Sequence, residues 1–360
     1  CSRAEGVNVA SVDQKTSNKR SNPAHSYELF GVKIPRLKMI CLLVGIVVAL
    51  ILPLLLTNFA VFQMTQVLVY AIAVLGLNLL TGYNGQFSLG HSAFYALGAY
   101  TAAIMIDRYE IAFYWTIIPA GVVCFIGGFL FGLPALRLDG LYLALATFAL
   151  AVATPQLLKY EHFEEFTGGV QGIDVFKPDA PVEWLTADQY LYFFVLICGA
   201  FLIVGAWNLV RGRTGRAMIA IRDNPIAAKT MGINTSLYKS VTFGVSGFYT
   251  GIAGALGAIV AEYVAPDSFT FFLSVWFLVG MVVGGLASIP AAIAGGIFIL
   301  YMPNISETVI SVFFGNDPSA KALIWVTFGL FLIFTVYVVP NGLAGLVRRF
   351  IMKFARRPGQ

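Results

Sequence analysis

The sequence predicts an all-α polytopic integral membrane protein with about ten transmembrane or re-entrant helices, and three observations carry that prediction. The chain is 58% hydrophobic and only 11% charged, where a soluble domain carries about 25% charged residues. Residues 39–106 run for 68 positions without an Asp, Glu, Lys or Arg, and one helical span of a bilayer needs about 20 apolar residues. The basic residues gather in three clusters beside apolar segments, which is the pattern of cytoplasmic loops. The net charge of +5 is therefore assigned to a membrane surface and not to nucleic acid.

Residues 1–36 are polar and rich in Ser, Asn and Lys, and are expected to be a disordered cytoplasmic tail. Cys1 stands in place of Met and invites a lipoprotein reading, but the charge pattern places the N-terminus inside, so a truncated or processed start is expected. Apolar segments then occupy 37–56, 59–80, 88–106, 112–134, 140–156, 190–210, 240–261, 270–287, 291–303 and 322–339. The segments 140–156 and 291–303 are short enough to be re-entrant or tilted. Together they make a transmembrane domain over 37–347, with a basic tail at 348–360.

Charge tests the count. The first tail holds Lys33, Arg36 and Lys38, the loop 211–239 holds Arg211, Arg213, Arg216 and Arg222, and the last tail holds Arg348, Arg349 and Lys353. Placing all three in the cytoplasm requires an even number of spans between each pair. The segments give six and then four, so both termini are expected inside. The loop 157–189 then falls outside. It carries seven acids and two lysines, with turn signals at Gly168, Gly169 and Gly172. A loop this long between spans is often functional, or a solvated cap.

Much chemistry is absent. The sequence has no phosphate-binding G-x-x-x-x-G-K-[ST], no HExxH and no G-x-S-x-G, so no ATPase or hydrolase constellation is visible and no catalytic residue is assigned. Cys1, Cys41, Cys124 and Cys198 lie far apart and suit apolar packing, so neither a metal nor a cofactor is expected. No predicted span carries an ionisable Asp, Glu, Lys or Arg near its centre. Ion-coupled carriers usually need one there. A permeation path driven by another protein needs none.

Two stretches carry specific signals. In the loop 211–239, Asn224 can cap a short helix, and Pro225 suits its first position because the missing N–H costs nothing there. Ala227 and Ala228 give that helix a small-residue face, Gly232 ends it, and Arg222 and Asp223 could fix its angle. An ordinary amphipathic connector has the same spacing. The second stretch is T-G-Y-N-G-Q-F-S-L-G-H at 81–91, polar and glycine-rich inside the uncharged tract. Gly82, Gly85 and Gly90 disfavour a continuous helix there. A helix restarting near Ser88 would aim its N-terminal N–H groups at the break, carrying about half a positive charge.

Asn78, Thr81, Asn84, Gln86, Ser88 and His91 add hydrogen-bonding groups without a fixed charge, which suits passage of a zwitterion. The same groups could instead bond neighbouring helices, at about 0.6 kcal/mol each. Strict alternation of spans puts this break on the cytoplasmic side. It reaches the membrane midplane only by folding back into the bundle; otherwise it is a gate or a packing element. A second break at Gly284 and Gly285, with Ser288 following, is expected to approach the same path.

The chain resembles a known family at these residues. A-A-x-x-x-G after a basic run, here Ala227 to Gly232, is similar to the coupling loop of bacterial ABC importer permeases, although Ile226 stands where those loops usually have Glu. The stretch 76–100, T-G-G-V-Q-G-I at 167–173, the segment 283–296 and V-P-N-G-L-A-G-L at 339–346 resemble the LivM side of the branched-chain amino acid permeases. The resemblance covers roughly 40–350. It implies the ABC importer permease fold in a bacterial inner membrane. It also implies a sister permease, two cytoplasmic ATPases docked at the coupling loop, and an external binding protein. The implied cargo is a branched-chain or other neutral amino acid, or alternatively urea or a short amide. A stand-alone channel shares the uncharged spans but has no use for the Ala-Ala loop. A polytopic membrane enzyme would need acid–base pairs that the chain lacks.

Overall fold

The computed structural model describes residues 26–29, 32–135, 138, 140–178, 180, 185–314 and scattered positions from 323 to 345. Helix α1 spans Arg36–Leu55, α2 Asn58–Leu77, α3 His91–Tyr109, α4 Phe113–Ala135 and α5 Leu141–Leu158. The short α6 is Glu161–Thr167 and α7 is Ala187–Arg211; α8, Arg213–Asp223, and α9, Pro225–Thr230, follow. Helices α10 (Thr235–Ala261), α11 (Phe271–Gly284) and α12 (Ala291–Phe314) complete the described bundle. Six of these helices are long and apolar enough to cross a membrane, and the chain is an integral membrane protein. Large apolar side chains such as Phe201 and Ile197 point outward, as lipid-facing positions require. The ten expected segments meet helices at nine places; the segment 322–339 lies largely outside the described residues, as does the tail 348–360.

Four details differ from the sequence reading. The segment 140–156 becomes the full-length α5. The segment 291–303 becomes the first half of the 24-residue α12. Asn304, Ser306, Glu307 and Thr308 close the apolar run but continue the helix. The shortest apolar element is α11, 14 residues, because the chain turns at Gly285 with φ 132°. In the tail read as disordered, β1 (Ser26–Leu29) and β2 (Val32–Pro35) pair antiparallel with Leu29 opposite Val32. Their Tyr27, Leu29, Val32 and Ile34 recur every second residue, the period of a strand.

Helix α10 is the axis of the bundle, packed by α2, α3 and α4. Its glycines set the spacing. A Cβ on Gly254 would strike the carbonyl of Tyr95, and one on Gly98 would strike that of Gly251. Backbones that close need small residues, the usual device between membrane helices. Pro53 inside α1 has no N–H for the carbonyl of Ala49, and the hydroxyl of Tyr192 on α7 donates to that carbonyl at 3.0 Å. Helix α7 begins with a capping box, Gln189 N–H to Thr186 Oγ1 at 3.3 Å and the Thr186 N–H to Gln189 Oε1 at 3.1 Å.

The described residues of the loop 157–189 are tied down at several points. Gly168 ends α6 with φ 70°, a left-handed conformation glycine adopts freely. Beyond it β3 (Ile173–Asp174) pairs antiparallel with β4 (Tyr263–Val264), which tethers the loop to the end of α10. Lys177 bridges Asp188 at 2.8 Å and Glu262 at 2.7 Å. Lys159 pairs with Asp267 at 2.5 Å.

Candidate functional site

The polar stretch after α2 does not break the helix where its glycines begin. The chain first widens into a π turn over Asn78–Tyr83, and leaves the helix only at residues 85–90. Gly82 therefore sits in helix, where its missing side chain makes room. A Cβ there would collide with Asn78 Oδ1 and come within 2.7 Å of Ala287 N. Gly85 turns the chain with φ 74°, and Gly90 is the N-cap of α3, so the restart falls at His91 and not near Ser88.

Asn78 joins the two breaks. Its Oδ1 accepts from Ala287 N–H at 2.9 Å, and its Nδ2 donates to the carbonyls of Ser288 at 2.9 Å and Gly285 at 3.4 Å. One side chain thus supplies partners to three backbone groups of 285–290, and the Tyr83 hydroxyl bonds the Ile289 backbone beside them. Ala287 holds φ 52°, rare for a residue with a Cβ, and the Asn78 contact fixes it. Gly342, with φ 69°, lies against the same turn, so a Cβ there would reach Gly284 O at 2.7 Å.

The break at 85–90 is held from several sides. Thr81 Oγ1 donates to Gln86 O at 2.9 Å, and Asn84 Nδ2 donates to Gln86 Oε1 at 2.8 Å. Leu89 N–H donates to Thr147 Oγ1 of α5 at 2.9 Å, and Ser92 N–H donates to Ser274 Oγ of α11 at 2.8 Å. His91 lies between Ser88 Oγ, 3.1 Å from Nδ1, and Ser246 Oγ of α10, 2.7 Å from Nε2. Ser246 donates its own proton to Gly76 O at 2.6 Å, so it can only accept from His91. The network therefore assigns the Nε2–H tautomer, with Nδ1 accepting from Ser88.

Asn78, Asn84, Gln86, Ser88 and His91 are all buried, none more than 5% exposed. Hydroxyls of Ser88, Thr147 and Ser274 take N–H groups at the break and the start of α3. In this conformation they occupy the place expected for a carboxylate. The Oδ1 of Asn84 is buried without a partner among the described residues.

The loop 211–239 folds as its residues predict locally. Asn224 Oδ1 accepts from Ile226 N–H at 3.1 Å and Ala227 N–H at 3.0 Å, capping α9 ahead of Pro225. Met231 and then Gly232, with φ 82°, end it. Ala228 faces inward and is buried, whereas Ile226, Ala227, Thr230 and Met231 are exposed. Sequence reasoning missed the link inward. Arg222 pairs with Asp223 at 3.0 Å and also donates from Nη1 to Gly82 O at 3.0 Å. A Cβ on Gly85 would meet Arg222 Cγ at 2.7 Å. The loop and both breaks thus form one connected cluster.

Three relatives bear on this arrangement. The LivM protein of Salmonella typhimurium, a "High-affinity branched-chain amino acid transport system permease protein", is 32% identical over 280 residues, 71% of this chain and 65% of the relative. The protein of the same name from Escherichia coli is 33% identical over 66% of this chain and 61% of the relative. A "Probable branched-chain amino acid transport permease protein LivH" of Methanocaldococcus jannaschii is 29% identical over 42% of this chain and 47% of that protein. The matched part of the chain spans slightly less than two thirds of the two LivM proteins. The family profile described as "Branched-chain amino acid transport system / permease component" matches residues 59–338. With its apolar helices, its two breaks and more than half its length matched, the chain belongs to that permease-component family.

Proposed function

We propose that this chain is the transmembrane permease subunit of an ATP-driven importer in a bacterial inner membrane, with both termini in the cytoplasm. It works beside a sister permease and carries branched-chain or similar neutral amino acids. The cargo arrives from an external binding protein, and two cytoplasmic ATPases supply the energy. The observation that carries this reading is the bond from Arg222 to Gly82 O, which ties the end of α8, directly before the helix α9, to the first break. A connector of no function has no reason to reach into a buried helix break.

The geometry supports a sequence of motions. An ATPase seated on Ala227, Ile226 and Met231 moves α9. Arg222, at the end of α8, passes that motion to Gly82, and Asp223 holds the guanidinium at its angle. Asn78 couples it onward to Gly285 and Ser288. Opening the break then turns the buried groups of Asn78, Asn84, Gln86, Ser88 and His91, and the half-buried Thr81 and Ser288, toward the path. They are uncharged polar groups that a zwitterion can pass without being trapped.

Two substitutions test this in the assembled transporter. Gly232→Asp places a carboxylate on the docking face. No atom lies within 4 Å of the new Cβ, and Asp tolerates the left-handed backbone, so the chain still inserts. Leucine uptake should be abolished, and normal ATP-driven uptake would sink the docking assignment. Arg222→Ala should leave the ATPase bound while leucine uptake falls about tenfold, the loss of one hydrogen bond to a charged group. Full uptake by that variant would remove the link from the mechanism. Co-purification with an ATPase separates this reading from a stand-alone channel, and uptake of urea in place of leucine would reassign the cargo.

A further inference from the structure

A second polar concavity lies at the other end of the bundle from α9. Gln66 and Tyr70 of α2, Tyr95 of α3, and Tyr263, Ser268 and Phe269 border a cleft of about 130 Å³ beside the β3–β4 ladder. None of its lining residues is charged. Gln66 and Tyr95 are at least nine-tenths buried, yet neither the Gln66 amide nor the Tyr95 hydroxyl has a hydrogen-bond partner among the described residues. The Tyr70 hydroxyl lacks one as well among those residues. Gly257 of α10 clears the space, because a Cβ there would strike the Tyr95 hydroxyl. Phe269 and Phe277 brace the Tyr95 ring, with centroids at 6.0 and 5.5 Å.

Buried polar groups are normally paired. Here three donors, one of them also an amide acceptor, gather on one side of a concavity whose remaining wall is Val264, Phe269 and Leu273. A cavity of about 150 Å³ accommodates a benzene-sized molecule, so this volume suits a small solute. We infer that this cleft is a binding subsite for a small neutral amino acid on its way from the binding protein to the breaks. Its carboxylate accepts from Tyr70 and Tyr95, its ammonium donates to Gln66 Oε1, and its apolar side chain lies on Phe269 and Leu273. Uncharged partners hold the zwitterion loosely enough to release it. This assignment rests on the proposed function.

The test uses the complete transporter, with its binding protein, in proteoliposomes. Tyr95→Phe and Gln66→Leu should lower leucine transported per ATP hydrolysed about tenfold each. Their thermal stability should hold, since the lost groups have no partner among the described residues. In a Gln66→Cys variant, leucine should slow labelling by a polar thiol reagent at least threefold, and lysine should not. Wild-type leucine transport by Tyr95→Phe and Gln66→Leu, or labelling that leucine leaves unchanged, overturns the subsite while the importer reading stands. A wild-type transporter that moves no neutral amino acid overturns both. Loss of stability in step with transport would show that the groups serve packing, and would overturn the subsite alone.

Discussion

The two breaks solve one problem in opposite ways. Each takes backbone out of a helix inside the bundle, and each must find partners for the freed N–H and C=O groups. The first, at 85–90, and the helix ends beside it draw on Thr147 and Ser274 from two other helices, on Ser246 of a third through the His91 ring, and on Arg222 from the loop 211–239. The second, at 285–290, draws mainly on one side chain, Asn78, among the described residues, with the Tyr83 hydroxyl bonded to the Ile289 backbone beside it. The first is thus held by many small ties and the second chiefly by one side chain. A distributed set can give way one bond at a time, which suits an element that moves. A single bridge fails at once, which suits an element that must follow its neighbour.

The largest effect should come from breaking that bridge. Asn78→Leu removes the partner of Ala287 N–H, Ser288 O and Gly285 O together. An orphaned buried group costs about 1–3 kcal/mol, and two of these three are half-buried, so the variant should lose about 3 kcal/mol of stability in detergent. A drop in melting temperature no larger than that of a surface variant would show that water fills the gap. The concentrated bridge would then be no bridge.

Within the first break the losses should be smaller and graded. Ser246→Ala leaves the His91 Nε2–H without its acceptor, at about 2 kcal/mol. Thr147→Val leaves Leu89 N–H alone, at about 1 kcal/mol. Thermal unfolding of purified protein ranks them. Should Thr147→Val cost as much as Asn78→Leu, the contrast between distributed and concentrated support collapses.

What the sequence made legible follows from range. Asn224, Pro225 and Gly232 act within nine residues, so α9 could be read with its cap and its end. The uncharged apolar runs marked the spans, and the glycine cluster at 82–90 marked a break to within a turn. The partners could not be read, because they arrive from afar: Thr147 is 58 residues from Leu89, Arg222 is 140 from Gly82, and Asn78 is 210 from Ser288. A faint signal existed. Ser246 and Ser274 are small polar residues inside apolar helices, and such residues mark bonds between helices. Asn78 showed as a polar residue in an apolar run, but its role depended on a loop that only packing brings near. The two-residue strands β3 and β4 are too short to show a period at all.

Lys177 offers the comparison's control, because it repeats the Asn78 design in water. One side chain again ties two separate segments, Asp188 at the start of α7 and Glu262 at the end of α10. Burial pushes its pKa down, but the hydrogen bonds and charges of Asp188 and Glu262 outweigh it, and the pKa stands above the ordinary lysine value. The sign follows from that direction. A raised folded pKa gives stability that is complete below the unfolded value of about 10.5 and is lost as pH climbs through the folded value. Exposed ion pairs contribute about 0–1 kcal/mol because water and salt screen them. Lys177→Met should therefore speed hydrogen exchange at Val175 N–H, which donates to Glu262 O at 2.9 Å, by no more than about fivefold. Wild-type protein should approach the same rate, after correction for intrinsic exchange, only above the lysine range. A cost for Lys177→Met matching that of Asn78→Leu would mean that bridging itself, and not burial of the bridged groups, sets the strength of such a tie.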